Sequence, residues 1–573
     1  MRSAASLGGV LVVARVLGLA GRDLPLSAWL PSVLLWHDVA VALVFWLLVG
    51  RRRDSRIATA LYWAIVLWAA VNLPVVRALS SPLTLTMLQA GGGALGDSVA
   101  YYATPGMLAM IATVVAAGVL LPRMPVPARA ARVALAAVCV VSLPGPFVES
   151  RVDVRGAQRN AVSALVLSAL PRAPSRAVDA ATDWRRSPFE GGPVDELDAL
   201  RGAAAGRNVV VVVLESTAAQ YLRTYGSDDD PMPTLTALAR EGLQFDAAYA
   251  VYPESIKGLD AVLCSRHPGF DIGVAALAAA TCDSLAGRLA RAGYQTALFH
   301  SGRFSYLGME TLLSRQPFDV REDAGAIGGE IESSFGVDEP STIARMLSWV
   351  DRRDASRPFF LVYLPIAGHH PYASPEPGPF EGEGALDAYR NALWYGDRAL
   401  ARLLGGLRER GLEQETLTVV FGDHGEAFGQ HDGNFGHTLF AWDENVRVPL
   451  VVSAPGLVGP SRARQVASVV DVAPTILDLV GEPVPAGYEG ASLLSGPPRM
   501  AFVFTDYALG WAGLRDGCWK YLLELEADRS RLFDVCQDPG ETRDLSGRHP
   551  AHVEAYRTRT LDWLSATRQA YRD

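Results

Sequence analysis

The sequence predicts two structurally different parts, an N-terminal bundle of transmembrane α-helices and an extracytoplasmic α/β domain. The chain has 573 residues, too many for one ordinary domain, and its mean hydropathy of +0.16 is high for a soluble protein. The apolar surplus lies in the first 150 residues, whereas later apolar segments are short runs that end in carboxylates or histidines. Such short runs are typical of strands in a mainly parallel central sheet with helices on both faces.

Five apolar segments predict a five-span transmembrane domain over residues 1–150. They lie near residues 4–20, 30–49, 57–79, 103–121 and 133–147. A helix needs about 20 apolar residues to cross a bilayer, so the middle three are long enough and the outer two are shorter. Arg15 in the first segment indicates a tilted or interfacial helix. A cleaved signal peptide is the alternative, although the further spans favour a membrane anchor.

Arginine-rich loops predict the orientation of this domain. They follow the second segment and precede the fifth, with Arg51, Arg52, Arg53, Arg56, Arg123, Arg129 and Arg132. Since positive loops stay in the cytoplasm, we expect a multi-pass protein of the cytoplasmic (inner) membrane, with its N-terminus inside and everything after about residue 150 outside. The loop 80–102, with its Gly91–Gly93 run, then lies outside, where it lines a lipid entrance or is a plain connector.

Residues 151–200 are interpreted as a juxtamembrane linker, with a short apolar helix near residues 161–170 at the membrane surface. Residues 201–573 then form the outer domain. Two pairs of cysteines lie there, Cys264 with Cys282 and Cys518 with Cys536, and each pair is 18 positions apart. In an oxidising compartment we expect two local disulfides, with four unpaired thiols as the alternative. The net charge of −9 and the absence of a basic stripe exclude nucleic acid as a partner.

Three apolar runs in the outer domain are each followed by side chains that bind metals or move protons. The runs span residues 208–214, 359–364 and 417–421. The side chains that follow them are Glu215, His369, and the pair Asp423 and His424. Ligands of open α/β sheets bind at the carboxyl ends of the strands, so we expect these side chains to converge. For Glu215 the alternative is an acid at a helix N-terminus.

These segments, in this order, resemble the alkaline phosphatase and sulfatase superfamily over residues 208–545. Residues 208–217 (NVVVVVLEST) look like its first metal-binding strand, 421–429 (FGDHGEAFG) like its second metal motif, and 368–372 (GHHPY) like its His-x-Pro motif. The end of the chain, about residues 500–573, is similar to the small C-terminal subdomain. The resemblance implies a sulfatase-like catalytic domain that acts on phosphate esters or, as the weaker alternative, sulfate esters.

The nucleophile segment departs from the sulfatase pattern. In sulfatases a Cys or Ser is followed by x-Pro-x-Arg, which marks it for oxidation to formylglycine. Sulfatases also close the helix after the nucleophile with Leu-Thr-Gly-Arg-x-Pro, and the corresponding proline here is Pro268. Counting back thirteen positions from Pro268 places Ser255 in register with the modified residue, but Lys257 and Leu259 stand where Pro and Arg belong. We therefore expect an unmodified serine, with a helix N-cap as its alternative role. The pattern resembles lipoteichoic acid synthases and phosphoethanolamine transferases, which have Thr at this place and Glu at the position of Glu215.

The same residues predict one divalent metal ion. Glu215, Asp423 and His424, with Ser255 as the fourth ligand, offer three oxygens and one nitrogen. That mixture suits Mn²⁺ or Zn²⁺ better than Mg²⁺ or Ca²⁺. A cation on the serine oxygen lowers the pKa of the hydroxyl and makes it a nucleophile.

Histidines are expected to act on the substrate. His369 and His437 are predicted to steady the phosphoryl oxygens or to protonate the leaving group. His431 is the alternative to His437, and Lys257 is a further predicted substrate contact.

The sequence thus predicts a metal-dependent transferase at the lipid bilayer. It moves a phosphoglycerol- or phosphoethanolamine-type head group from a membrane phospholipid donor to a glycan or glycerol-type hydroxyl acceptor of the cell envelope, through phospho-Ser255. A sulfatase-like hydrolase, either a phosphodiesterase or a sulfuric ester hydrolase, is the first alternative. A non-catalytic envelope protein is the second, and the intact Glu215, Ser255, Asp423 and His424 count against it.

Overall fold

The computed structural model describes residues 2–49, 56–90, 103–125, 128–170, 172, 183–189, 192, 195–331 and 335–571. The predicted cytoplasmic arginines Arg51, Arg52 and Arg53 and the Gly91–Gly93 run lie outside the described residues. The α-helices are α1 (Arg2–Leu19), α2 (Leu30–Val49), α3 (Arg56–Leu79), α4 (Leu85–Ala90), α5 (Pro105–Leu120), α6 (Ala128–Ser142), α7 (Gly145–Val148), α8 (Ala161–Ser168), α9 (Pro233–Glu241), α10 (Ser255–Cys264), α11 (Val274–Ala279), α12 (Leu285–Arg291), α13 (Met309–Leu313), α14 (Ala324–Ile327), α15 (Glu339–Arg352), α16 (Ala385–Glu409), α17 (Asp443–Val446), α18 (Val472–Leu479) and α19 (Pro550–Gln569). The strands are β1 (Asn208–Leu214), β2 (Leu243–Tyr249), β3 (Gln295–His300), β4 (Val320–Glu322), β5 (Phe359–Leu364), β6 (Thr416–Gly422), β7 (Ala427–Phe428), β8 (Phe435–Gly436), β9 (Arg447–Val448), β10 (Leu450–Ser453), β11 (Ser461–Ser468), β12 (Ala501–Thr505), β13 (Trp511–Asp516), β14 (Trp519–Glu524) and β15 (Arg529–Asp534).

The N-terminal helices form the predicted apolar bundle. Among the described residues, α2, α3 and the segment Pro105–Arg123 are long and apolar enough to cross a membrane, with 20, 24 and 19 residues. α1 is a shorter apolar helix, and α6 has 15 residues. Three of the five spans therefore meet the length requirement, and the first and fifth stay predictions. Arg15, within α1, forms an ion pair with Asp38 of α2, which explains a charged residue in this apolar segment.

The helices of the bundle alternate in direction. α1 and α2 run antiparallel, since Gly8 packs near Ala42 while Arg15 pairs with Asp38. The outer domain contacts the chain just beyond the end of α3, where the Thr84 hydroxyl donates to the carbonyl of Tyr507 at 2.6 Å. α3 begins at Arg56, which therefore lies at the end of this helix farther from the outer domain, about 36 Å away along its axis.

A nine-stranded mixed sheet forms the centre of the outer domain, in the order β11-β2-β10-β6-β1-β5-β3-β4, with β9 paired to β2. Its middle strands, β6, β1, β5 and β3, are parallel, and β10 runs antiparallel between β6 and β2. Every residue of β1 is buried. Val209, Val211 and Val213 join the core on one face, and Val210 and Val212 join the core on the other. The predicted mainly parallel sheet covered on both faces is confirmed, with antiparallel strands toward one edge.

The C-terminal part contains a second, four-stranded antiparallel sheet, β12-β13-β14-β15, against which α19 packs. Both predicted disulfides are present, Cys264–Cys282 and Cys518–Cys536.

The described part of the linker is docked onto the outer domain. The guanidinium of Arg529 donates to the carbonyl of Val152 at 2.8 Å and pairs with Asp153 at 2.8 Å. Arg159 pairs with Glu526 at 2.6 Å. The predicted short apolar helix is α8. These ion pairs therefore hold the linker against the outer domain.

Candidate active site

The carboxyl ends of β1 and β6 place two carboxylates side by side. The strands are parallel neighbours in a register that pairs Leu214 with Gly422, so the following residues, Glu215 and Asp423, lie at one edge of the sheet. The backbone N–H of Asp423 donates to the Leu214 carbonyl at 3.0 Å, and Asp423 Oδ1 accepts from the Ser216 N–H at 2.9 Å. Both carboxylates are buried.

Ser255 is the first residue of α10 and faces these carboxylates. Its Oγ lies 3.0 Å from Glu215 Oε2 and 2.7 Å from Asp423 Oδ2. The N-cap of the helix is Glu254, whose carboxylate accepts from the Ile256 N–H at 3.0 Å. The capping role considered for Ser255 therefore belongs to its neighbour, and the serine hydroxyl points to the carboxylates.

His424 completes a donor set that fits a divalent cation. Its Nδ1 lies 2.9 Å from the Gly425 carbonyl, so this nitrogen carries the proton and Nε2 the lone pair. Nε2 lies 3.6 Å from Glu215 Oε1 and 3.4 Å from Asp423 Oδ2, and it is buried without a hydrogen-bond partner in the described part of the chain. An unpaired buried nitrogen is costly. One ligand atom from each of Glu215, Asp423 and His424 lies within 4.8 Å of the others, and a metal ion held by these atoms removes that cost.

The electrostatics of the cluster also favour a cation. Burial, together with the adjacent Glu215, raises the pKa of Asp423. Burial acts in the same direction on Glu215, but His369, His424 and His437 outweigh it and lower the pKa of that carboxyl. Two neighbouring buried carboxylates repel each other when both are ionised. A divalent cation between them offsets this repulsion.

His369 follows β5 and His437 follows β8, and their ring centroids are 6.5 Å apart. His437 Nδ1 lies 2.7 Å from Glu426 Oε2, and His369 Nδ1 lies 2.6 Å from the His370 carbonyl. Because Nδ1 is hydrogen-bonded in both rings, Nε2 is the nitrogen available to a substrate.

Glu426 is a site residue that the sequence analysis missed. It is 1% exposed and also accepts from the Tyr372 hydroxyl at 2.6 Å. Burial raises its pKa, but the neighbouring His437 outweighs burial and lowers it, so a carboxylate holds this imidazole. Glu426 stands two positions after His424, next to the glycine-flanked turn. A further acid so close to the predicted metal ligands was the feature of the sequence that could have identified it.

The loop that carries His369 is held by a second missed carboxylate, Glu339 at the start of α15. Glu339 Oε1 accepts from the N–H groups of Ile366 and Ala367 at 2.9 and 3.0 Å. Burial raises the pKa of Glu339 to about 7. Gly368 has φ of +108°, and a Cβ there would lie 2.5 Å from the Glu215 carbonyl oxygen. This loop therefore needs glycine to pass so close to β1.

These residues open into one cleft at this edge of the sheet. Glu215, Ser255, His369, Asp423 and His437 all line it. Its walls also include residues that the sequence analysis did not single out, among them His300, Arg303, Tyr306, Leu307 and Phe335.

Two predicted substrate contacts do not reach the cleft. Lys257 lies two positions beyond Ser255, about 200° around the helix, and its Nζ pairs with Asp506 at 2.9 Å. His431 Nδ1 lies 2.7 Å from Glu444 Oε1, and its ring stacks on Trp442 at 3.9 Å. His437 rather than His431 therefore lies beside the catalytic residues.

Comparisons with known proteins agree with this geometry. The sequence model of the sulfatase family matches residues 207–482. Arylsulfatase K of Bos taurus is 28% identical over 173 residues, which is 27% of this chain and 32% of the relative, so the match spans about a third of that protein. Lipoteichoic acid synthase 2 of Bacillus subtilis is 24% identical over 301 residues, covering 49% of this chain and 46% of the relative.

The fold is also similar to solved structures. The crystal structure of the lipoteichoic acid synthase LtaP from Listeria monocytogenes superposes with a TM-score of 0.54 at 17% identity, covering 69% of this chain and 96% of that one. The family match covers β1, the helix of Ser255 and the turn of Asp423 and His424. Residues 207–482 are therefore similar to the sulfatase family, and the outer domain shares the fold of the LtaP structure.

Proposed function

We propose that this protein is a membrane-anchored transferase. It moves a phosphoryl-linked head group, of the phosphoglycerol or phosphoethanolamine type, from a phospholipid of the bilayer to a glycan or glycerol-type hydroxyl of the cell envelope. Ser255 is the nucleophile, and the catalytic domain faces outward from the cytoplasmic membrane. The observation that carries the proposal is the Ser255 hydroxyl, held 3.0 and 2.7 Å from two carboxylates of a metal-binding set.

In the first step, Ser255 Oγ attacks the phosphorus of the donor lipid. The bond between Oγ and phosphorus forms, and the bond from phosphorus to the diacylglycerol oxygen breaks. His369 or His437 gives a proton to the departing oxygen, and the proton released by Ser255 restores that histidine. Glu426 holds the His437 ring through its 2.7 Å contact with Nδ1.

In the second step, an acceptor hydroxyl loses its proton to the same histidine and attacks the phosphorus. The bond to Ser255 breaks, and its oxygen takes the proton back. Glu215, Asp423 and His424 would hold a divalent cation, and their donor atoms favour Mn²⁺ or Zn²⁺. The cation would stabilise the negative charge on the serine and phosphoryl oxygens.

Pro and Arg of the formylglycine motif are replaced by Lys257 and Leu259, which supports an unmodified serine.

A hydrolase is the second candidate function, because matched relatives such as arylsulfatase K are sulfatases by name. In that reaction water replaces the hydroxyl acceptor. The two functions share the first step. They differ in whether water or a hydroxyl acceptor takes the phosphoryl-linked group from Ser255.

The test is to trap the intermediate on the purified full chain. The protein is incubated with phosphatidylglycerol or phosphatidylethanolamine vesicles without an acceptor, and the peptide containing Ser255 is analysed by mass spectrometry. We expect a phosphoglycerol or phosphoethanolamine adduct on Ser255. S255A should lose it and S255T should keep it, because the hydroxyl survives.

S305A is the matched control, because Ser305 is exposed on a loop near the cleft and caps no helix through its side chain. This variant should form the adduct as the wild type does. An aldehyde at position 255, or an adduct that persists in S255A, contradicts the mechanism. The adduct is then offered a panel of glycan and glycerol hydroxyls. If water alone removes the group from Ser255, the protein is a hydrolase and not a transferase.

A further inference from the structure

A second cavity lies between the membrane helices and the linker. α1, α2, α3 and residues 157–161 form its walls, and none of its lining residues lines the catalytic cleft. Much of its surface is apolar, from residues including Leu11, Ala14, Gly18, Leu73 and Val76. Its charged lining residues are Arg15, Arg22, Asp38 and Arg159. Three guanidinium groups thus face one carboxylate.

Two of these arginines are already engaged. Arg15 pairs with Asp38 and also donates to the Ala157 carbonyl at 2.5 Å. Arg159 donates to the Ala508 carbonyl at 2.7 Å and to Glu526 at 2.6 Å. Carboxylates therefore balance the charges of these two arginines.

Arg22, the third lining arginine, has no carboxylate in direct contact within the described residues. It donates to the Val76 carbonyl at 3.0 Å. Burial lowers the pKa of Arg22, and so do Arg77 and Arg155; Asp432 opposes them but is itself paired with Arg155 at 2.9 Å. A half-buried guanidinium without a carboxylate in contact is stabilised by an anion beside it.

The position of the cavity indicates the source of that anion. It lies at the end of α1 and α3 that contacts the outer domain, where Ser80 donates to the carbonyl of Gly433. The ends of membrane helices lie at the level of the phospholipid head groups. Guanidinium groups form two-pronged hydrogen bonds to phosphate, and apolar helix faces accommodate acyl chains.

We propose that this cavity binds an anionic phospholipid, with Arg22 as the contact of its phosphate. The site is distinct from the catalytic cleft, and the proposal does not depend on the reaction at Ser255.

The test is lipid retention by the full chain. The protein is reconstituted in nanodiscs of phosphatidylglycerol or phosphatidylcholine, extracted into detergent, and analysed by native mass spectrometry. We expect the wild type to retain phosphatidylglycerol, and R22Q to retain it about tenfold less, the loss of one charge-assisted contact. R22K should retain an intermediate amount, because it keeps the charge and loses the two-pronged geometry. R56Q, which removes an exposed arginine at the other end of α3, should match the wild type.

A thermal-unfolding series separates the lipid from free phosphate and checks folding. Phosphatidylglycerol should raise the melting temperature of the wild type and R56Q more than that of R22Q, and inorganic phosphate should leave all three unchanged. Equal retention by the wild type, R22K and R22Q overturns the proposal. Equal retention of phosphatidylcholine and phosphatidylglycerol, or stabilisation by inorganic phosphate alone, also overturns it.

Discussion

At the scale of single residues, the site contains two buried carboxylates and an imidazole that need a cation between them. Glu215 and Asp423 are buried neighbours, and His424 Nε2 faces both without a hydrogen bond among the described residues. The Ser255 hydroxyl donates to the carboxylates but does not neutralise them. A divalent cation satisfies all four groups, and its loss leaves buried repulsion behind.

The first prediction concerns this metal. D423A should remove bound metal and activity, because it deletes one of three charged or imidazole ligands. The loss of affinity should exceed the roughly 10- to 100-fold that follows removal of an outer-sphere partner. Metal content of the purified protein is measured by elemental mass spectrometry.

Two further variants separate the loss of a metal ligand from the loss of the fold. D423N keeps an oxygen that can accept the Ser216 and His424 N–H groups, so its fold should survive while its metal affinity falls. E409A removes an exposed carboxylate and should keep full metal content. Full occupancy in D423A would show that the metal-binding set is wrong.

At the scale of elements, the loops after the strands decide how the site is assembled. β1 and β6 carry their carboxylates directly at the strand ends, whereas His369 stands five residues beyond β5 on a loop held by Glu339. Gly368 lets this loop pass against the backbone of Glu215. Any side chain there displaces two catalytic segments at once.

The second prediction tests that close approach. G368A should lower the free energy of unfolding by at least about 1–3 kcal/mol, because φ of +108° is strained for alanine and its Cβ would meet the Glu215 carbonyl at 2.5 Å. Metal affinity should fall with it. Thermal unfolding and metal titration measure the two effects.

G405A is the matched control in α16. A Cβ at Gly405 meets no atom within 4 Å, and alanine favours a helix over glycine by about 0.5–1 kcal/mol. This variant should be as stable as the wild type or more so. A G368A protein that unfolds and binds metal as G405A does would contradict the role of Gly368.

At the scale of the whole molecule, the catalytic domain is fastened to the membrane bundle along the linker. Arg529 contacts the carbonyl of Val152 and the carboxylate of Asp153, and Arg159 pairs with Glu526. Arg56, in one of the two predicted cytoplasmic loops, lies at the end of α3 away from this attachment. The two ends of α3 therefore differ, since one lies near the outer domain and the other carries Arg56.

The third prediction concerns topology. A reporter that is active only outside the cytoplasm should be active when fused after residue 160 and silent when fused near Asp54, because arginine-rich loops stay inside. Reporter activity in whole cells, normalised to the amount of fusion protein, is the measurement. The reverse pattern would overturn both the orientation and the outward-facing catalytic domain.

The sequence alone predicted the α/β fold and the apolar bundle, and it favoured the two local disulfides without fixing their connectivity. Glu215, Asp423 and His424 were identifiable because buried strands are apolar runs, and a parallel sheet brings their carboxyl ends to one edge. Ser255 was identifiable only through the resemblance to sulfatases, whose motif places the nucleophile thirteen positions before Pro268.

Only the tertiary structure decided which side chains face the cleft. Lys257 and His431 stand near the predicted motifs in sequence, but Asp506 and Glu444 hold them elsewhere. Glu426 and Glu339 gained their roles from partners on other elements, Tyr372 and the backbone of residues 366 and 367. Side-chain direction depends on long-range packing and on hydrogen bonds between distant segments, and neither leaves a local pattern in the sequence.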